Sequence, residues 1–187
     1  GTSWTEGSDL NQVRGKLGGG GSSTAAIAYG GDIPTSTAKT EVYDGTTWTE
    51  VADLATARHG LTGAMGTSNV LGFAAAGYAN PPGASSNATE EWNAPTTVTV
   101  AGEGQVWYNT TSTVLKAYGL TLGSGAWATG GTMINARLDL GCTGTQTATL
   151  AMAGQTSPTW NYTEKYDGTA WTEVADLNND RGYCAAF

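Results

Sequence analysis

Any nucleophilic triad or nitrogen-donor metal site in this chain would have to be built on His59, the one histidine among 187 residues. No nucleophile-elbow phrase surrounds any serine. The common metal sites need clustered His, Cys or carboxylates, and the chain has no Cys-x-x-Cys to begin one. Cys142 and Cys184 follow the nearest arginines by unequal offsets, so two buried free thiols are expected rather than a bridge. Carboxylates remain, and the 16 Asp and Glu could supply an acid–base pair. Most of them, however, stand at positions that recur. A catalytic group is needed once per site, whereas a structural group is needed once per repeat. No catalytic residue, metal ligand or cofactor is therefore expected.

The recurrence is carried by tryptophan and arginine. Trp4, Trp48, Trp127 and Trp171 are each followed ten residues later by Arg14, Arg58, Arg137 and Arg181. Trp4 to Trp48 and Trp127 to Trp171 both span 44 residues, and the gap of 79 between the middle pair implies an insertion. Six residues after each Trp stands Leu10, Leu54, Met133 or Leu177. Apolar runs ending in small residues follow, at 25–31, 70–78 and 147–154. A Thr-Glu-x-aromatic phrase comes next, at Thr40, Thr89 and Thr163, and two copies continue Asp-Gly-Thr-x-Trp.

Each unit reads as four short strands. Runs rich in Val, Thr, Tyr and Trp, bounded by Gly, Asn, Asp and Pro, argue for strands. Asp-Gly before the Trp is a tight-turn signal. No window carries an apolar stripe of helical period, and 28 glycines disfavour long helices. A four-stranded unit of this length is the size of a propeller blade.

The double glycine Gly30-Gly31 (Ala76-Gly77 and Ala153-Gly154 in later copies), the Tyr-Asp, the spaced Trp and the small-residue-Arg pair resemble the kelch repeat. The repeat style is also similar to kelch-like arrays of tailed-phage tail-fibre and virion proteins, where Gly-Thr-Gln-Thr-Ala (144–148) and Tyr-Asp-Gly-Thr-x-Trp are recurring phrases. The resemblance implies an all-β fold: a kelch-like β-propeller segment with three complete four-stranded blades and partial strands at both ends. Residues 1–13 would be the outer strand of a preceding blade, 14–57 blade one and 58–136 blade two. Blade three would be 137–180, and 181–187 the inner strand of a following blade. The inserted stretch 98–122 reads as a β-hairpin. Because closed propellers hold four to eight blades, the chain is expected to be a fragment of a longer protein or to complete its ring with another copy. Copper chemistry known on this fold needs more histidines than are present.

Net charge −8 opposes a nucleic-acid backbone and anionic membranes as partners. No apolar stretch approaches the length of a membrane span. The four Trp and four Arg, recurring once per unit, are assigned to the scaffold: Trp packing between blades, Arg making charge-assisted hydrogen bonds to backbone or carboxylates. Function should then sit where the sequence does not repeat, in the loops after the second strands. Their candidate ligand-binding residues are Asp32, Tyr78, Asn80, Trp160, Asn161 and Tyr162. Aromatic faces beside amides and hydroxyls suit sugar rings, while Trp160 could equally cover a blade edge. The resemblance implies a non-enzymatic virion or extracellular module contacting host surface glycan or protein, with other virion subunits or further blades as partners. A structural spacer or decoration domain, or a fragment of a polysaccharide-acting enzyme, is the alternative.

Overall fold

The computed structural model describes residues 3–65, 69–94, 106–109, 114–117, 125–155 and 160–183, and every regular element among them is a strand. Three four-stranded antiparallel sheets follow one another. Sheet I is a meander of β1 (Gly18–Ser22), β2 (Ala25–Tyr29), β3 (Thr40–Tyr43) and β4 (Trp48–Glu50). Sheet II orders β5 (Thr62–Met65), β6 (Leu71–Ala75), β9 (Thr89–Asn93) and β12 (Ala126–Thr129). Sheet III repeats the meander with β13 (Gly141–Thr145), β14 (Ala148–Met152), β15 (Thr163–Tyr166) and β16 (Trp171–Glu173).

Two short two-stranded pairs lie within the stretch of chain that forms sheet II. The strands β7 (Tyr78–Ala79) and β8 (Ala84–Ser85) pair in the loop after β6, which the sequence reads only as a loop. Within the insert, β10 (Val106–Asn109) pairs antiparallel with β11 (Val114–Ala117). The rest of 98–122 lies outside the described residues.

The first strands stand side by side in the order β1, β5, β13, so each sheet lies face to face with the next. Two cores result. Ile27, Tyr29, Leu54, Leu61, Ala74 and Trp92 fill the space between sheets I and II, and Phe73, Met133, Leu140, Cys142, Tyr166 and Trp171 are the larger members of the core between II and III. Strand alternation explains the sharing: Phe73 and Ala75 face one neighbour and Ala74 the other. Covered on both faces, β6 has become a run of small and apolar residues. Close approach also dictates Gly63, where a Cβ would stand 1.6 Å from the Tyr29 hydroxyl. That hydroxyl donates across the interface to the Phe73 carbonyl at 3.1 Å, and burial pushes the phenol well above its usual pKa. Cys142 is a free, buried thiol, while Cys184 lies outside the described residues.

The double glycine is a backbone requirement. Both of its positions are left-handed in every copy, with φ of 64° and 108° at Gly30-Gly31 and 60° and 99° at Ala76-Gly77. The second residue then donates its N–H to the carbonyl of the next unit's arginine: Gly31 to Arg58 at 3.0 Å, Gly77 to Arg137 at 3.0 Å, Gly154 to Arg181 at 2.9 Å. A Cβ at Gly77 would meet Leu61 Cβ at 2.8 Å and the His59 carbonyl at 3.0 Å, so this position tolerates no side chain.

The tryptophans divide. Trp127 Nε1 donates to Thr40 Oγ1 and its ring meets Tyr29 edge-on, and Trp171 Nε1 donates to Thr89 Oγ1 with its ring 5.6 Å from Phe73. Both therefore clamp their own sheet to the preceding one. Trp48 stacks instead on Tyr43 of its own sheet and donates to the Ser8 carbonyl. Trp4 is wholly exposed, contrary to the expected packing role. Trp127 and Trp171 bury themselves against the third strand of a preceding sheet, and among the described residues no sheet precedes sheet I.

Candidate functional site

One polar arrangement is built three times beneath the loops. Three of the four repeat arginines are buried and face the glutamate of their own sheet's Thr-Glu-x-aromatic phrase, Arg14–Glu41 at 2.9 Å, Arg58–Glu90 at 2.7 Å and Arg137–Glu164 at 3.1 Å, whereas Arg181 is exposed. The terminal guanidinium nitrogens also reach carbonyls of the second strand's end and third strand's start, while the Nε of Arg14, Arg58 and Arg137 is buried without a hydrogen-bond partner. Arg58 donates to Ala76 and Ala88, Arg137 to Tyr162 and Ala151. The second carboxylate oxygen accepts a backbone N–H from the incoming link, at Asn11, Ala55 and Ile134. Burying a charge is costly unless it is paired and hydrogen-bonded, and here each charge is held from several sides. Desolvation lowers the pKa of Arg58 and Arg137 against the opposing pull of their glutamates. These groups fix where every first strand begins.

Immediately after each arginine the chain repeats a second device. The residue one past the Arg pairs through both backbone groups with the residue after the double glycine: Gly15 with Asp32, His59 with Tyr78, Leu138 with Gln155. The residue two past the Arg is then left-handed. Lys16, Gly60, Asp139 and Tyr183 take φ of 49°, 58°, 53° and 54°. Successive units are laced here as well, Gly60 N–H to the Lys16 carbonyl at 2.9 Å and Asp139 N–H to the Gly60 carbonyl at 3.0 Å. These four residues line one cavity of about 340 Å³, walled also by Leu17, Leu61, Thr62 and Leu140. Ligand cavities run upward from about 300 Å³.

The cavity mouth is chemically mixed. Lys16 Nζ stands 3.4 Å from Asp32 Oδ2 and is largely exposed. Asp139 Oδ2 accepts from Gln155 Nε2 at 3.1 Å, and its Oδ1 leans over Gly60, 2.8 Å from where a Cβ would be. Tyr183 is 77% exposed, and Leu61 and Leu140 form part of the floor. A cation, a carboxylate, a phenol and a hydroxyl thus ring an apolar base. That combination can bind a polar ring by its edges and cover its face. Among the described residues no three His, Cys, Asp or Glu side chains gather in a metal-holding group.

The six loop residues singled out from sequence separate into groups. Asp32 reaches the mouth through Lys16 and bridges to Ser36 through backbone. Tyr78 and Asn80 meet at a polar knot between sheets I and II. There Ser36 Oγ lies 3.0 Å from His59 Nδ1, accepts from Asn80 N–H at 2.9 Å and donates to the Tyr78 carbonyl at 3.2 Å. Tyr78 lies over the His59 ring, centroids 5.5 Å apart. Trp160 and Tyr162 form a pair on sheet III with ring centroids 5.1 Å apart. The Asn161 amide is turned inward to the Leu177 carbonyl, as Asn87 is to Met133, so it repeats and holds the scaffold.

Lys16, Asp139 and Tyr183 were not singled out from sequence. Their signal is present all the same: they share one phase of the repeat, two past each arginine, and differ in type from copy to copy. Compared with protein-family models and with curated proteins, the chain matches none.

Proposed function

We propose that the chain is a kelch-like β-propeller segment, its three sheets being blades, and that it serves as a non-enzymatic recognition module of a virion or other surface assembly. The ligand is a sugar residue of a surface glycan, held at the cavity mouth between the first strands. The host, and the tail-fibre setting, follow from the phrases shared with phage arrays. The ligand class follows from the mouth.

One observation carries the reading. At the left-handed position after the arginines, Gly60 shows that glycine satisfies the backbone, yet the other copies place Lys16, Asp139 and Tyr183 there. A non-glycine residue in this conformation costs roughly 1–2 kcal/mol. Strain retained at a repeated position, by residues that differ in chemistry and surround one cavity, is the pattern of a binding site. The repeated Arg, Glu, Thr and Trp are by contrast engaged with the scaffold.

The test is a glycan array probed with the intact protein and with Tyr183→Gly. The account expects a restricted set of binders, lost in the variant, which melts no lower than the wild type. An array with no binder, or binders retained by Tyr183→Gly, overturns it.

A further inference from the structure

Sheets I and III build the same corner where the chain leaves the fourth strand and passes the start of the third. Thr40 N–H donates to Asp53 Oδ1 and Thr163 N–H to Asp176 Oδ1, both at 3.2 Å. The backbone N–H groups of Val51 and Leu54 donate to the Thr40 and Ala38 carbonyls at 3.0 Å each. Those of Val174 and Leu177 donate likewise to Thr163 and Asn161, at 2.9 and 3.0 Å. Gly30 N–H to the Lys39 carbonyl is matched by Ala153 N–H to the Tyr162 carbonyl, both at 2.9 Å. Glu50 lies opposite Glu41 in its ladder, and Glu173 opposite Glu164. The backbone therefore roots Tyr162 where Lys39 is rooted, and Glu173 and Asp176 where Glu50 and Asp53 are.

In sheet I these side chains satisfy one another. Lys39 Nζ bonds Glu50 Oε1 and stands 3.5 Å from Asp53 Oδ2. Sheet II lacks all three charges, with Ala88, Thr129 and Thr132 at the same phases. Sheet III keeps both acids but exchanges the lysine for Tyr162. Among the described residues neither Glu173 nor Asp176 has an ion-pair partner. The buried Arg137 feels both carboxylates at a distance and is itself paired with Glu164. Trp160, at the phase of Thr37 and Ser86, accompanies Tyr162, ring centroids 5.1 Å apart and planes tilted by 58°. Both rings are partly buried and both carboxylates exposed. The corner is open even under a covering sheet: sheet II packs on sheet I, yet Lys39, Glu50 and Asp53 side chains stay 37%, 54% and 38% exposed.

Aromatic faces and carboxylates attract the same kind of group. The rings draw a cation through their quadrupole, and the carboxylates through charge-assisted hydrogen bonds. Sheet I shows which cation this pair of acids accommodates, an alkylammonium. We propose that Trp160, Tyr162, Glu173 and Asp176 form a second recognition site, which takes the side-chain ammonium of a lysine on a partner protein. The partner's lysine enters from outside the place that Lys39 fills from within. The chain's net charge of −8 favours its approach. None of the four residues lines the cavity mouth, so the site is independent of glycan binding there.

The test is an NMR titration of the intact protein with the peptide acetyl-Gly-Lys-Gly-amide, read at the Trp160 indole N–H. The expected result is a saturable shift with the weak, millimolar affinity of a single exposed cation. The same peptide acetylated at the lysine Nε should produce none. Glu173→Gln alters an exposed side chain, so it should melt with the wild type and weaken binding about two- to fivefold, as one surface ion pair would. Tyr162→Lys should occupy the site from within and abolish the shift, whereas Tyr162→Phe, which keeps the ring, should retain it. The absence of a saturable shift overturns the proposal, as does an equal response to the acetylated peptide. So does binding left intact by Glu173→Gln or by Tyr162→Lys. Tighter binding of spermidine than of the peptide would assign the site to a free polyamine and overturn the protein partner.

Discussion

Replacing Glu90 by glutamine tests the buried scaffold most sharply. Arg58 is fully buried, and its side chain rests on three acceptors: Ala76 O at 2.9 Å, Ala88 O at 2.7 Å and Glu90 Oε1 at 2.7 Å. Glu90 Oε2 meanwhile accepts the Ala55 N–H at 2.7 Å. A glutamine has one acceptor oxygen for two donors, and its NH2 must face either the guanidinium or the Ala55 N–H. One hydrogen bond is lost and a buried cation keeps no counter-charge. Breaking a buried pair in this way costs about 3–5 kcal/mol. Against a typical total of about 5–15 kcal/mol, that is a large share. Lys39 with Glu50 is the internal control, an ion pair whose side chains are 37% and 54% exposed. Surface pairs contribute up to about 1 kcal/mol, so Glu50→Gln should barely register. Urea unfolding is the assay. With a slope of about 1–3 kcal/mol/M, Glu90→Gln should lower the midpoint by 1 M or more, at constant slope. A loss below about 1 kcal/mol, equal to that of Glu50→Gln, would refute the claim that the buried triplet of pairs holds the first strands in place.

Further outcomes follow from single groups. Gly63→Ala forces a Cβ onto the Tyr29 hydroxyl and the Phe73 carbonyl, and should destabilise by about 1–3 kcal/mol; an unchanged melting temperature would contradict the tight spacing of sheets I and II. Burial pushes the Cys142 thiol up to about 12, so alkylation mapped by mass spectrometry at mildly alkaline pH should spare Cys142 in the native protein and modify it in urea; native labelling would contradict its burial. Asp44 and Asp167 accept backbone N–H and hydroxyl hydrogens in their turns, Thr47 N–H leading for the first and Ala170 N–H for the second, which lowers both carboxyls to about 2. The folded value lies below the unfolded value of about 3.9, so their contribution is present above that pH and disappears as pH falls through about 2. Carbon-detected NMR titration should give midpoints near 2 for both, and a value near 4 for either would remove the turn from the account.

Much of the architecture was legible because the repeat is a constraint on backbone and burial. Arg58 and Glu90 recur because every first strand must be pinned, and their pairing could be anticipated from charge type and phase. The double glycine marks the repeat in the sequence, but that both of its positions are left-handed, even where Ala76 and Ala153 replace the first glycine, is visible only in the backbone. Trp4 shows where this logic stops. Its place in the repeat predicts packing, but a side chain packs only if its partner strand is there, and sequence phase says nothing of that. The mouth was hidden for the opposite reason. Lys16, Asp139 and Tyr183 share no chemistry and lie far apart in the chain, so neither motif nor composition joins them. Only the left-handed turn after each arginine, stacked unit upon unit, brings them to one cavity. Asn161 looks unrepeated beside the first copy, which has Ala38 at that phase, but Asn87 stands two residues before Thr89 just as Asn161 stands two before Thr163.

The claim on which the functional account rests is that strain at the mouth is retained for binding. Replacing Lys16, Asp139 and Tyr183 together by glycine and measuring both melting temperature and glycan-array binding tests it directly. The account predicts a protein that melts higher than the wild type and has lost its ligands. A variant that melts lower, or that melts higher and still binds the same glycans, would contradict it.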